Sequence, residues 1–230
     1  MRASWYFDLI SPFSYLHLKQ FHKLPADMEI EYVPVLFAGM LKHWENKGPA
    51  EVPPKRIYMY KHLTWLAGHL GIPFRMPPGH PFNSLHALRL VVAAGDVQGC
   101  TNAAGDRMSG AAPNRQNVET AFDMVWKEGR DLQDAKELAE LARRLGLQDP
   151  QAAAADEDVK AKLKANTEAA IARGVFGVPS FLLGDTLFWG QDSLEMMLDY
   201  LKDPGLFDTA EMHRVNVLPV GTMRKEVTKS

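Results

Sequence analysis

A chain of 230 residues is long enough for one large domain, or for one domain carrying a sizeable insertion, and either can bury a real core. Its 26 basic and 28 acidic residues are mixed along the sequence and leave a net charge of −2, so no basic stripe marks a nucleic-acid partner and no polybasic run marks an anionic lipid surface. One cysteine, Cys100, excludes an intrachain disulfide, a Cys-x-x-Cys redox pair and a cysteine-based zinc site.

From Met1-Arg2 the sequence enters a strand-like run, Ala3 to Phe7, without a basic start, an apolar stretch of signal length and a small-residue cleavage site. No uninterrupted apolar run approaches the roughly 20 residues of a membrane span, so a soluble, cytoplasmic protein in a reducing compartment is expected. Ser11 and Pro12 then open a helix as N-cap and first residue. An amphipathic stretch from Phe13 to Phe21 follows, with Phe13, Leu16, Leu18 and Phe21 inward and Lys19, His22 and Lys23 toward solvent. A second strand, Met28 to Val35, completes a βαβ unit. From Phe37 to about Leu147, loops rich in Pro and Gly alternate with helical patterns, clearest in Ile57 to Leu70, Ser84 to Ala94, Asn117 to Lys127 and Asp134 to Leu145. Gly146 and Pro150 punctuate the end of that region. Asp156 to Arg173 reads as a further helix with Gly174 as its stop. Ser180 to Leu183 and Thr186 to Trp189 flank a Gly184-Asp185 hairpin turn, and a last helix runs from about Asp192 to Leu201.

Strands at both ends with helices between them predict an α/β domain, residues 1–36 and 156–203, interrupted by a helical domain at 37–155. Residues 204–230 lack clear periodicity and are expected to pack loosely as a C-terminal extension. Trp65, Trp126, Met196 and Met197 fall on helical stripes and are expected in the core. The eight histidines contain no His-x-x-x-His pair, so no metal site is expected. Cys100 lies in a Gly-rich stretch with no basic neighbour, and no catalytic role is expected of it. The hydroxyl of Ser11 falls among the unpaired N–H groups of a helix start, which suits a thiolate, carboxylate or phosphate; the same residue also serves as an ordinary cap. For Ser14, one turn on, a structural role is expected.

Several ordered segments carry a resemblance. They are Phe7-Asp8-Leu9-Ile10-Ser11-Pro12-Phe13-Ser14-Tyr15-Leu16, Asn46-Lys47, Gly71-Ile72-Pro73-Phe74, Asn83-Ser84, Gly174-Val175-Phe176-Gly177-Val178-Pro179-Ser180 and Phe188-Trp189-Gly190-Gln191-Asp192. In order and spacing, over about residues 3 to 201, the chain resembles the 2-hydroxychromene-2-carboxylate isomerases and kappa-class glutathione transferases of the DsbA-like thioredoxin superfamily. The resemblance implies a thioredoxin-like fold with an inserted α-helical domain, in which Pro179 is cis, faces the first helix start and offers the backbone of Val178 to a peptide-like ligand. A redox relative would carry Cys-x-x-Cys where this chain has Ser11-Pro12-Phe13-Ser14, so the thiol must be borrowed. The cofactor so implied is glutathione. A free thiol of pKa ~8.5 is only slightly ionised at neutral pH, and a positive helix end lowers that value. Ser11 would donate to the sulfur, while Val178, Gln191, Asp192 and Ser193 would hold the rest of the cofactor, Asp192 and Ser193 at its γ-glutamyl end. Asp192 also reads as an N-cap with Glu195 completing a capping box.

The substrate so implied is a small aromatic carboxylate, met by Lys42, Trp44, Asn46, Lys47 and Asn83, with Lys47 and Asn83 foremost. The reaction would add thiolate to the conjugated carbon of the ring-opened form, allow rotation about the resulting single bond and expel the thiol, serving aromatic compound degradation. Relatives are commonly dimers, so a homodimer is implied. Two other readings stand beside the isomerase. One is a kappa-like glutathione transferase, which the segment Gly48-Pro49-Ala50-Glu51-Val52-Pro53-Pro54 resembles more; the other is a non-enzymatic binding protein that kept the groove.

Overall fold

Four strands form one sheet in the order β2-β1-β3-β4: β1 (Arg2–Phe7), β2 (Glu29–Pro34), β3 (Ser180–Leu183) and β4 (Thr186–Trp189). The structure, a computed structural model, describes residues 1–98 and 113–222; Cys100 lies outside the described residues. β1 runs parallel to β2, Arg2 opposite Glu29 through Phe7 opposite Pro34, and antiparallel to β3, Trp5 opposite Phe181. Parallel pairing needs a crossover, which α1 (Pro12–Leu18) and a 3₁₀ turn at Phe21–Lys23 supply. The expected hairpin joins β3 to β4 through Gly184, whose φ of 56° glycine tolerates without strain. Central β1 is buried, and period-two geometry puts Trp5 and Phe7 on one face, stacked at 4.9 Å. Trp5 also meets the rings of His17, Phe21, Tyr32, Phe122 and Phe181 at 5.0–6.3 Å, so one aromatic cluster unites the sheet, α1 and the helical region.

Between β2 and β3 lie α2 (Phe37–His43), α3 (Pro53–His69), α4 (Leu85–Gln98), α5 (Arg115–Phe122), α6 (Ala135–Arg144), α7 (Pro150–Ala155) and α8 (Glu157–Ala172). This is the α/β class expected, with helices filling the middle of the chain. α5 passes into a π-helical turn at Asp123–Lys127. Asp156 caps α8 by accepting from Asp158 N and Val159 N, and Gly174, φ 78°, stops it. No described helix is long and apolar enough to cross a membrane.

The chain divides into two compact units, Met1–Leu194 and Glu195–Ser230. α9 (Leu194–Lys202) leads into the second, where a 3₁₀ turn at Pro204–Phe207 and α10 (Ala210–Val215) form although no periodicity announced them. Thr209 caps α10 through Met212 N at 3.2 Å, and Tyr200 stacks on Phe207 at 5.4 Å.

Two core assignments are overturned. Trp65 is 61% exposed, because α3 buries a narrow line at Met59, Leu63 and Ala67, four residues apart, and Trp65 lies off it, stacked between His62 and His69. Met196 is 43% exposed while Met197 is buried, since consecutive helical residues point about 100° apart and only one faces inward. Trp126 is buried as expected.

Candidate active site

The turn between β1 and α1 is fixed largely by Asp8. Its backbone carbonyl accepts from Ser11 N at 3.0 Å, Oδ1 accepts from Ile10 N at 3.0 Å and Oδ2 accepts from Phe37 N at 2.9 Å. Burial pushes the Asp8 carboxyl above its ordinary range, opposed by hydrogen bonds from Ile10, Ser84 and Phe37. Ser11 follows in extended backbone, and its Oγ accepts from Ser14 N at 3.2 Å. It is therefore the N-cap, but capping uses only an acceptor lone pair. Pro12 has no N–H and Tyr15 N bonds to Ser11 O at 3.3 Å, which leaves the Ser11 hydroxyl proton and Phe13 N–H as uncommitted donors at this helix start among the described residues. Ser11 retains 8% of its surface, whereas Ser14 retains none and its Oγ has no partner among the described residues. Of the two hydroxyls, Ser11 is the one that a ligand can meet.

Two side chains from the helical region hold the carbonyls just before Ser11. Trp126 Nε1 donates to Leu9 O at 2.9 Å from the π-helical turn, whose own Trp126 O accepts from Arg75 N. His80 Nε2 lies 3.0 Å from Ile10 O, which can only accept, so the proton of the imidazole is assigned to Nε2. His80 Nδ1 then faces the Tyr60 hydroxyl at 2.9 Å. Burial lowers the His80 pKa most, the hydrogen bond to Ile10 opposes this, and the charge of Arg56 adds to the lowering. The sequence places Trp126 in the core and Asp8 in the family-matching segment, but assigns neither of them, nor Tyr60 or His80, a part in the site. His80 and Trp126 act across 70 and 117 residues, a pairing that no local pattern records.

The Val178–Pro179 peptide is cis, as expected. Pro179 O accepts from Gly190 N at 2.9 Å, and Gly190 O accepts from Ser193 Oγ at 2.8 Å, tying the Val178 loop to a 3₁₀ turn at Gln191–Ser193 that packs against α1. Gly190 has φ 96° and the Asp192 carboxylate stands where its Cβ would be, so this bend accepts no side chain. Val178, Gln191, Asp192 and Ser193 thus lie in one tied loop, and its 3₁₀ turn meets α1, the helix that Ser11 opens. Asp192 is exposed in the turn, and helix α9 begins at Leu194, two residues beyond the cap position read from the sequence.

The remaining site residues are more scattered. Lys42, Trp44, Asn46 and Lys47 are exposed at the end of α2 and just after it. Trp44 Nε1 donates to Val175 O at 3.3 Å and so borders the loop that carries Val178. Asn46 Oδ1 accepts from Lys47 N at 2.8 Å. Asn83 is spent at the start of α4, where its Oδ1 accepts from Leu85 N and its N donates to Gln133 Oε1, both at 3.0 Å. Among the described residues, no hydrogen bond or ion pair joins Lys47 to Asn83.

A family model described as a DSBA-like thioredoxin domain matches residues 4–202. Glutathione S-transferase kappa 2 of Caenorhabditis elegans is 31% identical over 221 residues, 88% of this chain and 92% of its own length. The 2-hydroxychromene-2-carboxylate isomerase of Sphingobium xenophagum is 31% identical over 209 residues, 86% of this chain and 97% of its own. A solved structure of a 2-hydroxychromene-2-carboxylate isomerase superposes with a TM-score of 0.72 at 28% identity, covering 92% of this chain and 99% of that one.

Proposed function

Because the chain belongs to the 2-hydroxychromene-2-carboxylate isomerase and kappa-class glutathione transferase family of DSBA-like thioredoxin domains, we propose that it is a glutathione-dependent isomerase, interconverting 2-hydroxychromene-2-carboxylate and trans-o-hydroxybenzylidenepyruvate. One observation carries this reading: serine, not cysteine, opens α1, and its hydroxyl proton is uncommitted where the family motif lies. Bound glutathione supplies the ionised sulfur that the polypeptide lacks at this place.

The residues present fit that cofactor. Ser11 O–H and Phe13 N–H are the two unused donors at this helix start that would meet its sulfur, and a charge-assisted donor to an anion is stronger than a neutral one. The backbone of Val178 pairs with the cofactor peptide, and the exposed Asp192 carboxylate beside Gln191 and Ser193 takes the ammonium of its γ-glutamyl end. His80 and Trp126, by holding Ile10 O and Leu9 O, fix the backbone that aims Ser11. Trp44 provides an apolar wall next to the Val178 loop, with the exposed Lys42, Asn46 and Lys47 available to a substrate carboxylate, whereas Asn83 is spent at the start of α4.

A kappa-like transferase is the second reading, supported by the equal 31% identity to a kappa transferase and by the Gly48–Pro54 segment. Absorbance assays with 2-hydroxychromene-2-carboxylate, with and without glutathione, distinguish the two. Turnover that requires glutathione and leaves its concentration unchanged supports the isomerase; stoichiometric loss of thiol into a conjugate supports the transferase. Absence of glutathione binding by calorimetry overturns both and leaves a binding protein.

A further inference from the structure

A cavity of about 430 Å³ opens within the helical region between α4, α6, α7 and the start of α8. Its size falls in the range of about 300–1,000 Å³ typical of small-molecule sites. None of its lining residues belongs to the site around Ser11, and no requirement of that chemistry explains it. The walls are apolar, with Leu90 from α4, Leu138 from α6 and Ala154 from α7. The charged groups are of one sign: Arg89 on α4 and Lys160 on α8 line it, with His86 and Gln151 as further polar neighbours, and no Asp or Glu does.

Arg89 is the informative residue. One guanidinium nitrogen, Nη1, donates to Ala154 O at 3.3 Å, a carbonyl in the last turn of α7. Nε is buried and has no partner among the described residues. Arg89 itself is half-buried and lines the cavity, and a cationic guanidinium there that the protein answers only in part suits an anion, because guanidinium offers a fork of donors matched to the two oxygens of a carboxylate. Lys160 does not compete for that role, since it pairs at 2.8 Å with Glu157, a side chain largely in solvent.

We propose that this cavity binds an amphipathic monocarboxylate of medium-chain alkanoate type, its carboxylate on Arg89 and its apolar body against Leu90, Leu138 and Ala154. Charge selects the head, the absence of acids excludes amines, and the apolar walls select the chain. The site is independent of the glutathione reading, so the two fail separately.

Isothermal titration of the full chain with decanoate tests it, with 1-decanol and 1-naphthoate as further probes. The expected result is saturable one-to-one binding of decanoate, at least tenfold weaker binding of decanol, and retention of decanoate affinity in Ser11→Ala. Arg89→Met should weaken decanoate about tenfold or more while leaving decanol unchanged. Leu138→Trp, which fills the cavity without touching Arg89, should abolish binding of both in a protein whose circular dichroism is unchanged. No saturable binding of decanoate, or equal affinity for decanoate and decanol, overturns the proposal. So does undiminished binding in Leu138→Trp. Tighter binding of naphthoate than decanoate, with the same Arg89 dependence, overturns the aliphatic assignment in favour of an aromatic acid.

Discussion

The oxygen of Ser11 both accepts from Ser14 N and keeps a proton to give, so its two sequence readings are compatible and can be measured apart. Ser11→Ala removes both. Loss of the cap should cost about 1 kcal/mol of stability, and loss of a preorganised donor should lower kcat/KM with glutathione by on the order of a hundredfold. Thermal melts read the first effect and steady-state kinetics the second; a stability loss with unchanged turnover would remove Ser11 from the chemistry. Ser14 behaves oppositely. Its buried hydroxyl has no partner among the described residues, so Ser14→Ala should leave both activity and melting temperature intact or slightly raised, since deleting an unanswered polar group relieves its desolvation cost. His80 acts through the backbone: His80→Leu strands Ile10 O and should lower kcat with little change in KM for glutathione, while His80→Gln, which can still donate an N–H, should recover part of it.

Among elements, those with a local signature were legible in the sequence. The change from period two to period 3.6 marks β1 and α1, Gly184 marks the hairpin, and Gly174 marks the end of α8 within a residue or two. What escaped is what only tertiary contact decides. A helical stripe says which residues share a face and not whether anything covers that face, so the stripe points Trp65 to the core and the structure leaves it exposed. The stripe does predict the burial of Trp126, but nothing local says that its indole N–H reaches Leu9 O. The Val178 loop shows how tightly elements are coupled. A Cβ on Gly177 would stand 2.5 Å from Trp189 Nε1, so Gly177→Ala must displace either the Trp189 indole or the backbone leading to Val178. KM for glutathione should rise several-fold in Gly177→Ala, and the double variant with Trp189→Ala should recover most of it if the clash is the cause. Equal losses in the single and double variants would show that Val178 is not the element disturbed.

For the whole molecule, the aromatic cluster that unites the sheet with α1 also sets a response to acid. His17 is fully buried among Trp5, Phe21 and Phe181; Trp5 Nε1 donates to its Nδ1 at 3.3 Å, so Nε2 carries the proton and has no partner among the described residues. Burial lowers its pKa from 6.5 to about 3. Between those values the unfolded chain binds a proton that the folded chain refuses, so stability is full above about pH 6.5 and falls as pH drops below it, by about 1.4 kcal/mol per unit for this one group. The lowered pKa of His80 adds in the same direction, whereas the raised carboxyl of Asp8 opposes it at the acid end, because there the folded chain is the one that holds the extra proton. Melting temperature should accordingly drop between pH 7 and pH 5. In His17→Gln, where an amide oxygen can still accept from Trp5 and nothing titrates, the drop should be shallower whatever the variant costs at pH 7. The comparison rests on the slope with pH and not on absolute stability, so a variant that is merely less stable does not blur it; parallel curves for the two proteins would assign the acid response to other groups.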